Sequence, residues 1–272
     1  MKYTPRQPLD DVNVSDEHPL IEASTLVVGL GLIFATIMVT LVFLIDVALY
    51  FVPVEREIKM FGSWLPDDLV TVAPDDPRLD QLEALTDRLA RHWPDSKYSF
   101  RVEINDSPEM NAMAFPGGLI IITSGLLDEV QSENELAFVI AHELGHFHNR
   151  DHIRGLGRGV VIGIMFAAIG ASDSSMALSS SIADLTLRGF GRRQEADADR
   201  FALEIVNAEY GHVADAWRFF ERVDDRGGRI IDVVAYLSTH PSPKDRIRKL
   251  VERAGDNGWP VSGEITGIDW AR

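Results

Sequence analysis

Cysteine is absent from the chain, so disulfides, thiolate nucleophiles and cysteine-ligated zinc or iron–sulfur sites are excluded, and any metal must sit on His, Asp or Glu. Basic residues are scarce: 26 Lys and Arg stand against 42 Asp and Glu, a formal charge of -16 that argues against a protein built to coat nucleic acid. No internal repeat is found, and the 46% hydrophobic and 25% charged residues are ordinary for globular proteins, which excludes disorder of the whole chain and collagen-like classes. With 272 residues, one or two domains with a real core are expected.

Charge is missing altogether from residues 23 to 45, ASTLVVGLGLIFATIMVTLVFLI, and Asp46 is followed by a further apolar run, VALYFV. A helix crossing about 30 Å of hydrocarbon needs about 20 such residues, and a helix of a water-soluble domain is rarely apolar on every face for so long. A membrane anchor over 25–52 is expected, in contact with lipid; a core helix and a cleaved signal peptide are the alternatives. The length of the run and the acidic residues before it argue against cleavage. Asp46 is expected near one interface, with Tyr50, Phe51 and Trp64 as aromatic anchors. Lys2 and Arg6 precede the span and Arg56 and Lys59 follow it, so charge leaves the orientation open.

The Pro- and Asp-rich residues 53–77 read as a juxtamembrane linker, after an N-terminal tail of 1–24. Leu79, Leu82, Leu85 and Leu89 are spaced for a helix, whereas YSFRVEIN (98–105) and LIIIT (119–123) read as strands. Between the strands lies the turn-rich stretch Asn111, Ala112, Met113, Ala114, Phe115, Pro116, Gly117 and Gly118. The apolar stretch 159–171 is too short to span a bilayer and is expected to be a buried or membrane-touching helix.

The chemistry concentrates in SENELAFVIAHELGHFHNRDH, 132–152, which opens on a capping-box pair, Ser132 and Glu135, and is expected to form one helix. His142 and His146, four residues apart, lie about 40° apart around it and can converge on one metal ion. Glu143 stands beside the first histidine, where it can reach a metal-bound water and accept its proton without being a ligand. Gly145 lets another backbone come close. Two nitrogens do not complete a catalytic zinc site, which takes three protein ligands. Glu195 in RRQEADADRFA is one candidate for the third, with Asp199 one turn on to receive the outer nitrogen of a ligand histidine, and with Ala196, Ala198 and Ala202 permitting close helix packing. His152, ten positions after His142, is the rival; it requires a helix break at Asn149. If the helix continues, His148 and His152 point away from the pair and are surface or supporting residues.

Three segments in order, NAMAFPGGLIIITSGLL (111–127), AHELGHFHNRDH (141–152) and RRQEADADRFA (192–202), with THPSPKDRI (239–247) as a fourth, resemble the HtpX, Ste-type CAAX-protease and Oma-type group of gluzincin zinc metallopeptidases, metallopeptidase family forty-eight. The resemblance covers about residues 76–253. It implies one zinc ion per chain on His142, His146 and Glu195, Glu143 as general base and acid, and Asp199 in support. It also implies that 111–124 supplies an edge strand to which an extended substrate adds, through Asn111, Ala112, Ala114, Pro116, Gly117 and Gly118. His240, before Pro241, is expected to stabilise the oxyanion, to act as an inhibitory latch, or simply to cap a turn. The multi-span cores of the CAAX and HtpX members are missing, so single-span or periplasmic quality-control members are the better likeness.

The expected fold is mainly α with a small β-sheet (α+β), with a metallopeptidase domain over 78–253, a C-terminal tail over 254–272 and one transmembrane helix before the domain. The expected function is a membrane-anchored zinc endopeptidase that hydrolyses unfolded or misassembled proteins in protein quality control, with unfolded or membrane-associated proteins as partners, on the periplasmic side of a bacterial inner membrane and without nucleic-acid partners. A zinc-containing chaperone or scaffold is the alternative; the intact Glu143 argues against it, since a structural zinc needs no general base.

Overall fold

The computed structural model describes residues 18–62, 73, 75–168, 191–225, 243–268 and 270. A long helix α1 (Pro19–Tyr50) starts from Pro19 at its first position, with the His18 side chain accepting from the Leu20 N–H. None of its residues is buried, and Leu26, Val27, Leu30 and Phe43 face outward. Of the described helices it alone is long and apolar enough to cross a membrane. An apolar surface of this extent is not left to water.

After α1 the chain turns into a short helix, α2 (Val54–Phe61), within the stretch read as a linker. Glu57 of α2 is fully buried in the domain that follows. Helix α3 (Leu79–Ala90) buries Leu82, Leu85 and Leu89, the stripe its leucine spacing predicts. Strands β1 (Arg101–Asn105), β2 (Ala112–Phe115) and β3 (Leu119–Thr123) form one sheet in the order β1-β3-β2. β3 is central and wholly buried; β1 runs parallel to it and β2 antiparallel. The turn-rich stretch therefore contains a strand of its own, within the 111–124 region where the resemblance implies an edge strand, and among the described residues β2 lies at the sheet edge. Gly117 and Gly118 turn β2 into β3 with φ of 86° and 90°, a region that favours glycine.

A short helix, α4 (Ser124–Glu129), leads to α5 (Glu133–Asn149), in which residues Asn134 to Phe147 are all buried. Ser132 caps α5 by accepting from the Glu135 N–H at 3.2 Å, whereas the Glu135 carboxylate accepts from Gln131 N one residue earlier than a closed capping box requires. The expected single helix over 132–152 is broken: Arg150 adopts a left-handed conformation (φ 58°, ψ 32°) and α6 (Asp151–Ala168) begins at the next residue. The break comes at Arg150, one position after the Asn149 that intrinsic preference favours. Its guanidinium reaches the carbonyls of Leu49 and Val52 at 3.1 and 2.5 Å, so tertiary bonds hold the strained residue in place.

Helix α6 packs along the end of α1, where Arg158 pairs with Asp46 at 2.7 Å. Helix α7 (Arg192–Tyr210) makes the most extensive packing contact of α5 and stops at Gly211. Helices α8 (Arg218–Asp225) and α9 (Pro243–Asp256) complete the described domain. The chain beyond α9 lies back on the domain: Glu133 N donates to Thr266 O and Thr266 N to Asn134 Oδ1, so it occupies one backbone donor and one side-chain acceptor at the start of α5.

Candidate metal centre

Four-residue spacing brings His142 and His146 to one face of α5, with their Nε2 atoms 3.1 Å apart. Helix α7 crosses this face with Glu195, whose two carboxylate oxygens lie 3.5 Å from His142 Nε2 and 3.5 Å from His146 Nε2. The crossing is close because Gly145 has no side chain: a Cβ there would lie 2.8 Å from Ala198 Cα and 2.9 Å from Ala198 O. Ala198 and Ala202 are fully buried at this contact, and Ala196 is half-buried beside it.

Each ring is oriented by a carboxylate on its outer nitrogen. Asp199 Oδ1 lies 3.0 Å from His142 Nδ1, and Asp151 Oδ2 lies 3.1 Å from His146 Nδ1. A carboxylate accepts only, so both Nδ1 atoms carry protons and both Nε2 atoms face Glu195, where a metal can take the place of their protons. Asp151 is itself held by Gln194 Nε2 at 2.6 Å, which ties the start of α6 to the residue before Glu195. Arg246 of α9 grips both oxygens of Asp199 at 2.6 and 2.9 Å and lies 3.1 Å from Glu195 Oε2, with its guanidinium 4.2 Å from the Phe220 ring centre. Glu143, 1% exposed, is close enough for its charge to raise the proton affinity of His146.

Burial alone would lower the pKa of His146, but Asp151 and Glu195 outweigh it and push the ring up to about 10. His142 is lowered by burial and Arg246 and raised more strongly by Asp199 and Glu195, for a net rise. Asp199 is raised by burial yet falls below its ordinary value through Arg246 and His142. A metal therefore competes with protons for these nitrogens.

The residues fit a divalent metal. Among the described residues, His142, His146 and Glu195 are the group of His, Asp and Glu whose ligand atoms all lie within 4.8 Å of one another, and all three are buried. The two Nε2 atoms lie 3.1 Å apart and each has a Glu195 oxygen 3.5 Å away, Oε2 for His142 and Oε1 for His146, near enough for one ion with bonds of about 2 Å to reach all three side chains.

His152 does not join this group. It is fully buried with Nε2 2.6 Å from Glu57 Oε1 and Nδ1 3.3 Å from the His146 carbonyl, so it is not a surface residue either. His148 is exposed and stacks on Phe201. Of the proposed edge-strand residues, Asn111, just before β2, accepts from Thr123 N on its carbonyl and donates its N–H to Thr123 Oγ1, Ala112 and Ala114 sit in β2, and Pro116, Gly117 and Gly118 form its turn; α5 packs on this strand. His240, Trp64 and residues 169–171 of the second apolar stretch lie outside the described residues.

Three residues that bond at or beside the site were not read from the sequence. Asp151, five residues after His146, and Arg246, in the quoted THPSPKDRI stretch, carried a positional signal. Glu57 carried none, being one acid of the charged run VEREIK beside the apolar span.

The family model for Peptidase family M48 matches residues 78–254. The mitochondrial metalloendopeptidase OMA1 of Schizosaccharomyces pombe is 31% identical over 159 residues, covering 58% of this chain and 47% of that protein. The mitochondrial metalloendopeptidase OMA1 of Danio rerio is 29% identical over 198 residues, 66% of this chain and 41% of that protein. The beta-barrel assembly-enhancing protease of Escherichia coli is 27% identical over 215 residues, 73% of this chain and 44% of that protein. The chain thus spans less than half the length of each of these relatives. With a buried His-His-Glu group on two tightly packed helices and a family match over most of the described domain, the chain belongs to peptidase family M48, a family of metallopeptidases.

Proposed function

We propose that the chain is a zinc-dependent endopeptidase, anchored to a membrane by α1, that hydrolyses unfolded or misassembled proteins in protein quality control. The observation that carries the reading is the convergence of His142, His146 and Glu195 beside Glu143, in a chain of this family. Two imidazoles and a carboxylate suit zinc, which when bound polarises the scissile carbonyl and acidifies the attacking water. Glu143 takes the water's proton on its carboxylate and returns it to the leaving amine. Asp199 and Asp151 keep the two imidazoles in the tautomer that presents Nε2, and Arg246 offsets the charge that Glu195 and Asp199 bring into the buried site.

The substrate is proposed to lie extended as a further strand on the edge of β2, where backbone pairing accepts many sequences. This mode suits unfolded chains, and the names of the relatives, among them an enzyme of beta-barrel assembly, support a role on misassembled proteins. A bacterial inner membrane with the domain on the periplasmic side is the proposed location.

The test uses the full-length chain in detergent, loaded with zinc and given casein. Glu143→Gln is expected to keep one zinc per chain and to lose cleavage, whereas Glu195→Ala loses the metal. A Glu143→Gln protein as active as wild type overturns the assignment; a wild type that cleaves nothing, with deletion still harmful in cells and Glu143→Gln harmless, favours a scaffold.

A further inference from the structure

Among the described residues of the segment that follows the membrane helix, Glu57 is the fully buried acid, and every polar contact of its carboxylate reaches the domain beyond that segment. Oε1 accepts from Gly117 N at 3.2 Å and lies 2.6 Å from His152 Nε2. Oε2 accepts from Tyr98 Oη at 3.0 Å and from Arg150 at 3.1 Å. Gly117 is the turn of β2 into β3, and Arg150 and His152 flank the break between α5 and α6. The contact with the turn is steric as well as polar: a Cβ on Gly117 would lie 2.6 Å from the backbone of Phe61, the last residue of α2. Arg150 carries the connection on to the Leu49 and Val52 carbonyls at the end of α1.

A carboxylate in this position costs desolvation free energy unless several donors surround it. None of its four polar partners is a ligand of the candidate metal centre. Its chemistry is explained by what it joins. One oxygen is shared between the strand turn and the helix carrying Asp151, the residue that orients His146, so a single group fixes the spacing of two walls of the site.

We propose that Glu57 is a positioning residue that locks the β2–β3 turn to the α5–α6 break, and thereby sets the height of the substrate-accepting strand over the metal-ligand helix. The kinetic part rests on the peptidase reading; the structural part does not. In consequence the segment after the membrane helix is part of the working site and not a tether alone.

The experiment compares full-length wild type and Glu57→Gln in detergent, by amide hydrogen exchange and by hydrolysis of an unstructured ten-residue peptide. In Glu57→Gln, amides of residues 112–118 are expected to exchange at least tenfold faster while those of α3 keep wild-type rates. Zinc content stays at one per chain, and KM rises at least fivefold with kcat within twofold, a split that general loss of structure does not produce. Wild-type exchange at the turn overturns the proposal. Faster exchange with an unmoved KM overturns its substrate half. Faster exchange in a system whose wild type cleaves nothing supports the lock and removes the peptidase reading instead. If Glu57→Gln does not fold, His152→Gln, which removes the shortest contact and leaves Gly117 its acceptor, is expected to show the same pattern, and wild-type exchange in that variant is the overturning result.

Discussion

Asp151 and Asp199 do the same work on two different rings, although only Asp199 shares a helix with a proposed ligand. Removing such a partner costs a metal site roughly 10–100-fold in affinity. Asp199→Asn and Asp151→Asn are each expected to weaken zinc binding by that order in competition with a chromogenic chelator; unchanged affinity in both would mean that other groups hold the rings. Glu57 supports a second prediction at this scale. Burial raises its pKa, but the bonds from His152, Gly117 and Tyr98 prevail and bring it to about 2, against 4.5 for an ordinary glutamate. A depressed carboxylate contributes stability that is complete above the unfolded value and fades as pH falls from about 4.5 through about 2. Linkage gives this group roughly 3 kcal/mol. Urea unfolding of the full chain is expected to lose stability with acid over that window, with a shallower slope in Glu57→Gln; identical slopes would contradict the assignment.

The contact of α5 with α7 decides whether three ligands meet, and it depends on Gly145. Gly145→Ala drives a methyl group into the Ala198 backbone, which can yield only by separating the helices. The expected cost is about 1–3 kcal/mol, together with weaker zinc binding, because Glu195 moves with α7; a denaturant titration and a chelator competition read the two effects separately. Such elements were legible wherever their signal is local. The spacing of His142 with His146 and of Glu195 with Asp199 places each pair on one helix face by periodicity alone, and a glycine opposite alanines indicates close packing. The break at Arg150 was not legible, because a non-glycine left-handed residue is fixed by partners 98 and 101 positions earlier. For the same reason β2 reads as a turn from its own residues, and a strand there was implied only by the family resemblance: four residues beside a proline and two glycines become a strand only beside β3.

At the scale of the molecule, α1 and α6 run together where Asp46 meets Arg158, so the apolar helix is fastened to the domain rather than loosely appended. Membranes from expressing cells are expected to retain the full chain after alkaline carbonate extraction and to release one lacking residues 1–52; release of both would refute the anchor. Protease added to sealed inner-membrane vesicles decides the side on which the domain lies, digestion being expected only when the periplasmic face is opened. The one apolar span and the mixed helical and strand character of the rest were readable from composition and period. The docking of α2 and of residues 257–268 onto the domain was not, since the first depends on a buried glutamate whose partners lie 41 to 95 positions later and the second on isolated bonds such as Glu133 N to Thr266 O. Helix α5 has a last consequence. Buried from Asn134 to Phe147, it is both the centre of the core and the carrier of two ligands, so the ligand pair is assembled by the free energy that folds the chain and not by the ion. Loss and recovery of the metal should then be a reversible cycle: a chelator empties a scaffold that keeps its shape, and restored zinc finds its donors already in register.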